Sequence, residues 1–256
     1  MKTTTHPTLD ITVTFDPTPH TYTDDQGARY ISVTTLAGAA FPGFDADAAA
    51  ARVGARDNIP PADLIAAWRA KGDAAAEYGT RVHAYAEALI LGEPAPAPTD
   101  HRDRRAFRIV DKALAAINHT HDLYPPEQIV FEPIHQIAGT IDLPARNRET
   151  GALAIMDWKT CEAIPTAAYN RTALPPIAHV PDSKTMHYAL QLSLYAWMLT
   201  APGYTQYPTE GEPVELALIH VPHSGVDPIW RPVPYLQREA QAVVDARWEG
   251  RREWAA

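Results

Sequence analysis

The chain contains a single cysteine, Cys161, in 256 residues. That excludes a disulfide framework, a cysteine-ligated zinc site and a four-cysteine iron–sulfur cluster, and it fits a reducing, intracellular setting. No apolar run is long enough to span a membrane, and Met1–Pro7 lacks the apolar core of a signal peptide. There is no Gly-x-x-x-x-Gly-Lys-[Ser/Thr] phosphate loop, hence no nucleotide-driven motor, and no internal repeat. Lysine is scarce, five against seventeen arginines, so a lysine at the buried-looking position 159 stands out. Positive charge as a whole is outnumbered. The net charge of −9 argues against passive coating of nucleic acid, but leaves room for a local groove that grips through bound metals. Arg102, Arg104, Arg105 and Arg108 gather on one predicted helix, where a solvated helix face explains them as well as a basic patch does.

What is present is ordinary for a soluble globular protein: 46% hydrophobic and 21% charged residues. The length suits one domain over residues 1–256, with a core at roughly 73–235 and an N-terminal elaboration at 11–72. The organising stretch is Ile137–Thr160, which predicts a β-hairpin with arms Ala138–Ala145 and Ala152–Lys159 around the polar turn Asn147–Gly151. A turn centred between Glu149 and Thr150 sets Asp142 opposite Asp157, where like charges repel at Cβ separations of about 4.5–5.5 Å. Lys159 lies on the same face as Asp157, because side chains alternate along a strand. The run Ala-Leu-Ala-Ile-Met before Asp157 predicts a central strand covered on both faces. Carboxylates forced together there call for a cation, and a divalent metal ion is the natural one, while a hairpin with charges at its solvated end explains a lone Asp-x-Lys without any site.

Before this stretch, residues 11–36 alternate around Asp24–Gly27 and predict an N-terminal hairpin, with Ser32–Thr35 supplying hydroxyls to cap a following helix. Helices are predicted at 62–70, behind Pro60-Pro61, at 73–91, closed by Gly92, and at 100–118. The second of these places His83 and Glu87 on one face. A strand follows at 127–136. Beyond the hairpin, Cys161–Ser183 is a long irregular segment, placed so that it can arch over the hairpin. The segment 184–200 is helical, with Gln191 and Tyr195 on one face and Leu190, Leu194 and Trp197 marking a buried stripe. Strands at 214–221 and 228–236 and a helix at 238–254 end the chain.

In order, His83 and Glu87, Asp142, Asp157-x-Lys159 and Gln191-x-x-x-Tyr195 stand on helix, strand, strand and helix. This set, written GTRVH, GTID, DWK and QLSLY, resembles the PD-(D/E)XK nuclease superfamily, in particular its RecB-like exonuclease branch without an iron–sulfur cluster. The N-terminal H-x-Y…G…SVTTL stretch is similar to the front of phage and mitochondrial exonucleases. The likeness spans roughly His20–Thr200. Asp157 stands where many relatives have Glu, and Ile141 precedes Asp142, so the "PD" pair is absent.

The resemblance implies a restriction-endonuclease-like α/β core, a central mixed β-sheet flanked by helices. It implies a metal-dependent DNA exonuclease of recombination, repair or replication, cytoplasmic and of bacterial or phage type. Asp142, Asp157, His83 and the Trp158 carbonyl would hold Mg²⁺ or Mn²⁺, the nitrogen donor tilting preference toward Mn²⁺. Lys159 would orient the attacking water, and Glu87 would hold a second ion or fix Lys159. Gln191, Tyr195, Thr160, Arg81 and Tyr188 would contact DNA, with Tyr188 or Trp158 stacking on bases of a single strand or a free end. A recombination or single-strand-binding protein is the expected partner. The rivals are an endonuclease of the same fold, a non-catalytic nucleic-acid-binding module and a small-molecule metallohydrolase.

Overall fold

In a computed structural model, which describes residues 1–200, 204 and 213–250, the N-terminal stretch forms four short strands. These are β1 (Lys2–Thr5), β2 (Thr12–Asp16), β3 (Thr21–Asp24) and β4 (Arg29–Ser32). The predicted turn at Asp24–Gly27 is present, with Gly27 at φ 83° and Asp24 Oδ1 accepting the Gln26 and Ala28 N–H groups. The sequence pattern missed a second turn at Pro17–His20. There the prolines cannot donate to a ladder, and Asp16 accepts the Thr18 N–H at 3.0 Å. Ser32 caps α1 (Val33–Ala39) as expected, accepting from Thr35 N. After α2 (Ala46–Asp57), α3 runs unbroken from Pro61 to Leu91. The break expected near Gly72 does not occur, since one glycine costs a helix only about 1 kcal/mol and its alanine-rich neighbours offset that. Gly92, at φ 68°, ends α3 as predicted.

Asp100 caps α4 (His101–Thr120). Next come β5 (His121–Leu123), β6 (Gln128–Glu132), β7 (Ile137–Ile141), β8 (Leu143–Asn147) and β9 (Leu153–Lys159). The chain continues with α5 (Lys184–Leu199), β10 (Val214–His220), β11 (Ile229–Val233) and α6 (Gln237–Glu249); the predicted end of α6, residues 251–254, lies outside the described residues.

The strands form two mixed sheets, ordered β1-β2-β3-β4-β7-β6 and β11-β10-β9-β8-β5. As its apolar run foretells, β9 is central in the second, parallel to β10 and antiparallel to β8. Its side chains divide between two cores. Leu153 and Ile155 pack with residues of α1, α5 and α6, while Ala154, Met156 and Trp158 pack with residues of α3 and α4.

The hairpin register is the predicted one, Leu143↔Met156 through Arg146↔Leu153. Its first arm, however, is not one strand. It divides at Asp142, because Ile137–Ile141 pairs with β6 and β4 in the other sheet. Continuing the register by one residue sets Asp142 against Asp157 where the ladder ends, and the Asp142 carboxylate accepts the Trp158 N–H at 2.9 Å. The Cys161–Ser183 segment does not arch over this point. Ile164, Ala173, Ile177 and Val180 are buried in the α5 core, and Leu174 N–H donates to the Ala40 carbonyl.

Candidate active site

Two motif glycines show how the elements are brought together. A Cβ on Gly139 of β7 would sit 2.6 Å from Tyr195 Cε1 and 3.1 Å from Val33 Cγ2, so α5 and α1 close onto β7 only over glycine. A Cβ on Gly79 of α3 would lie 3.3 Å from the Thr160 hydroxyl, so the turn of α3 before His83 packs against the end of β9. These approaches create a cleft of about 270 Å³ lined by His83, Glu127, Asp142, Asp157, Lys159, Gln191 and Tyr195, with Phe15, His20 and Tyr22 from the N-terminal strands.

On one side stand His83, Glu127 and Asp142, each with one donor atom within 4.8 Å of the others'. His83 Nδ1 lies 3.4 Å from Asp142 Oδ2 and 3.5 Å from Glu127 Oε1. His83 Nε2, 3.2 Å from the Trp158 carbonyl, is placed to donate to it. That bond turns Nδ1 toward the carboxylates, the way an outer hydrogen bond fixes the tautomer of a metal-ligating histidine. Burial, and then the Asp157 charge, push the Asp142 carboxyl up to about 7. Burial disfavours the His83 imidazolium, but Asp142, Glu127 and Asp157 together outweigh it and pull His83 up to about 9. A buried nitrogen-and-oxygen donor set strained by its own negative charge fits a divalent cation.

On the other side, Asp157, 3% exposed, forms an ion pair through Oδ2 with the Lys159 ammonium. Its Oδ1 accepts from Gln191 Nε2 at 3.2 Å. Burial disfavours the Lys159 charge, yet Asp157 and Asp142 outweigh it and keep the ammonium protonated. The ammonium also sits 4.5 Å from the centre of the Tyr188 ring, whose hydroxyl burial pushes up to about 12.

Several expected contacts fall elsewhere. Glu87 pairs with Lys2 Nζ at 2.7 Å, one turn of α3 beyond His83, and so does not fix Lys159. Arg81 is committed to Asp103 at 3.1 Å, a fully buried carboxylate on α4, and pins two helices rather than facing the cleft. The Trp158 ring, 2% exposed, belongs to the α3–α4 core and cannot stack on a base. Its carbonyl, expected to bind metal, accepts the His83 hydrogen bond at 3.2 Å and keeps a second lone pair. Tyr195, 3% exposed, braces Gly139 from within the fold. The Thr160 carbonyl accepts from His223 Nε2 at 2.6 Å. Glu127 escaped the sequence reading. The sequence puts it first in the strand expected at 127–136, but it precedes β6 in a left-handed conformation, φ 50°, and its N–H donates to the Asp142 carbonyl.

A family model described as the PD-(D/E)XK nuclease superfamily matches residues 57–256. The chain belongs to this superfamily. Membership in the PD-(D/E)XK superfamily implies a nuclease that uses divalent metal ions and acts on DNA. A solved structure titled "Crystal structure of SSO0001" is similar at 13% identity, covering 86% of this chain and 75% of that one with a TM-score of 0.31. A comparison with curated proteins gave no match. No helix among the described residues is long and apolar enough to cross a membrane.

Proposed function

We propose that this PD-(D/E)XK protein is a DNA exonuclease that hydrolyses phosphodiester bonds from a free end, in recombination, repair or replication. The observation that carries the reading is the meeting of His83, Glu127 and Asp142 with the Asp157–Lys159 pair in one cleft. His83 Nδ1, Glu127 and Asp142 would hold Mg²⁺ or Mn²⁺, with Asp157 at the edge of the set, and the nitrogen donor favours Mn²⁺. Such an ion, when bound, supplies Lewis acidity toward the phosphodiester and eases ionisation of water at neutral pH.

The chain's own groups do the rest. Asp157 and Tyr188 hold the Lys159 ammonium in the cleft, where it orients the attacking water and offsets charge that grows on the phosphate during reaction. Gln191 fixes the Asp157 carboxylate through its amide N–H, leaving that carboxylate one direction in which to meet Lys159.

End-dependence is supported by the likeness of the N-terminal H-x-Y…SVTTL stretch to exonucleases, together with its lining of the same cleft through His20, Tyr22, Ser32 and Thr34. None of the residues of the Cys161–Ser183 segment lines the cleft. The test compares linear single-stranded DNA with a covalently closed circle of similar length under saturating Mn²⁺, with chelator as control. Loss of the linear form with the circle untouched is expected. Equal degradation of both would establish the endonuclease alternative.

A further inference from the structure

The cleft carries too little positive charge to hold DNA by its phosphates alone. Its lining offers Glu127, Asp142 and Asp157 against Lys159 and the imidazole of His83, so a bound divalent ion brings it only to about neutral and leaves little net attraction for phosphate. Affinity has to come from contacts that are not ionic, and one part of the lining is built for them. Phe15, on β2, stacks on Tyr22, on β3, with ring centres 4.6 Å apart and planes 23° from parallel. His20, exposed in the turn between the two strands, meets Phe15 edge-on at 5.1 Å.

The group is pre-set. Tyr22 is 2% exposed, and its hydroxyl is hydrogen-bonded to Thr140 Oγ1 at 3.0 Å, two residues from Asp142. Pro17 and Pro19 restrict the turn that ends at His20, itself in the left-handed region at φ 51°. Phe15 and His20 therefore present aromatic surface at a fixed place relative to the carboxylates, with little ordering cost when a flat ligand arrives.

We propose that Phe15 and His20 form a stacking platform for one unpaired base beside the phosphate that is cut. The proposal rests on the nuclease reading of the cleft and adds to it the part of the substrate that is recognised. Stacking on an aromatic side chain accepts any base, so the platform selects unpaired over paired DNA without reading sequence. Its contribution per base corresponds to roughly tenfold to a hundredfold in affinity.

The experiment measures binding rather than cleavage, so its outcome is separate from that of the nuclease assay. Fluorescence anisotropy, with Ca²⁺ as the sole divalent cation, compares a labelled oligothymidylate with a fully abasic tetrahydrofuran oligomer of equal length. The full chain should prefer the base-bearing strand by at least about tenfold. Phe15→Ala and His20→Ala should bring that preference toward unity by weakening only the base-bearing strand. A purely structural role for these rings would weaken both oligomers alike. Should Phe15→Ala fail to fold, His20→Ala, at an exposed position, decides alone. A preference that survives His20→Ala, equal weakening of the two oligomers, or no preference in the unaltered chain overturns the proposal.

Discussion

Asp142 and Asp157 are the same residue type, sit opposite one another in a single register, and yet live in different chemical company. Asp157 faces α5 and is neutralised by Lys159 and held by Gln191. Asp142 faces α3, has the Trp158 N–H and the His83 ring beside it, and shares its space with Glu127. One side of the cleft is balanced within the protein, while the other carries two carboxylates with a single titratable imidazole between them. The difference teaches that opposition in a hairpin does not make two acids equivalent. Their second neighbours, delivered by helices from opposite faces of the sheet, leave one beside a further carboxylate and a histidine and pair the other with a lysine.

Removing the unbalanced side should have the largest effect. Asp142→Asn is expected to bring DNA cleavage to background and to abolish the thermal stabilisation by Mn²⁺, worth about 2.7 kcal/mol at a hundredfold excess over the dissociation constant. Melting curves with and without metal check it. A full metal-induced shift in Asp142→Asn would erase the distinction between the two sides.

Breaking the balanced side should spare the metal. Lys159→Ala should slow cleavage by about 10²–10³-fold, the scale seen when one preorganised stabilising group is lost, while the metal-induced melting shift persists. Cleavage at the normal rate would remove Lys159 from the chemistry.

The two sides should also differ in their response to pH. Asp142 is raised from an ordinary 3.8 to about 7, and His83 from 6.5 to about 9. A group whose pKa is raised on folding stabilises fully below its unfolded value and loses that contribution as pH climbs through its folded value. The metal-free protein should therefore lose stability from Asp142 between about pH 4 and 7 and from His83 between about pH 6.5 and 9. A metal ion competes with those same protons. Its apparent affinity should rise by at least about tenfold between pH 6 and 8 by calorimetric titration, and a flat profile would contradict the assignment of His83 and Asp142 as ligands.

The smallest effects belong to the braces. Gln191→Ala should slow cleavage several-fold, through a less constrained Asp157, by loss of one hydrogen bond of about 1–3 kcal/mol to a charged group. Glu87→Gln should change the rate less than about twofold, because an exposed pair with Lys2 is worth about 0–1 kcal/mol. A large loss in Glu87→Gln would return Glu87 to the reacting centre.

How much of this was legible depends on whether a signal is local. The Asp142–Asp157 register could be read because a polar turn and a period of two fix it within one short stretch. The division of its first arm could not, since that division comes from pairing with β6 and β4, elements that only the fold brings alongside. Gly79 and Gly139 were visible as motif letters, but the reason for them, the nearness of Thr160 and Tyr195, is tertiary. Arg81 was misassigned for the same cause, because its partner Asp103 lies on another helix. Glu127 reads in sequence as the first residue of a strand, and only the left-handed backbone before β6 carries it to Asp142. The continuous α3 joins the helices expected at 62–70 and 73–91, so a glycine in an alanine-rich run is weak punctuation.

The break between β7 and β8 has a consequence for how the molecule opens. A single residue joins the two sheets, and that residue's side chain, not a ladder partner, receives the Trp158 amide hydrogen. Opening of the six-stranded sheet withdraws Asp142 and bares this one amide while the rest of β9 stays paired with β8 and β10. In hydrogen exchange, Trp158 should therefore keep the clock of the first sheet although it belongs to the second. The amide thus reports, without substrate, the fraction of molecules in which the two carboxylates face each other.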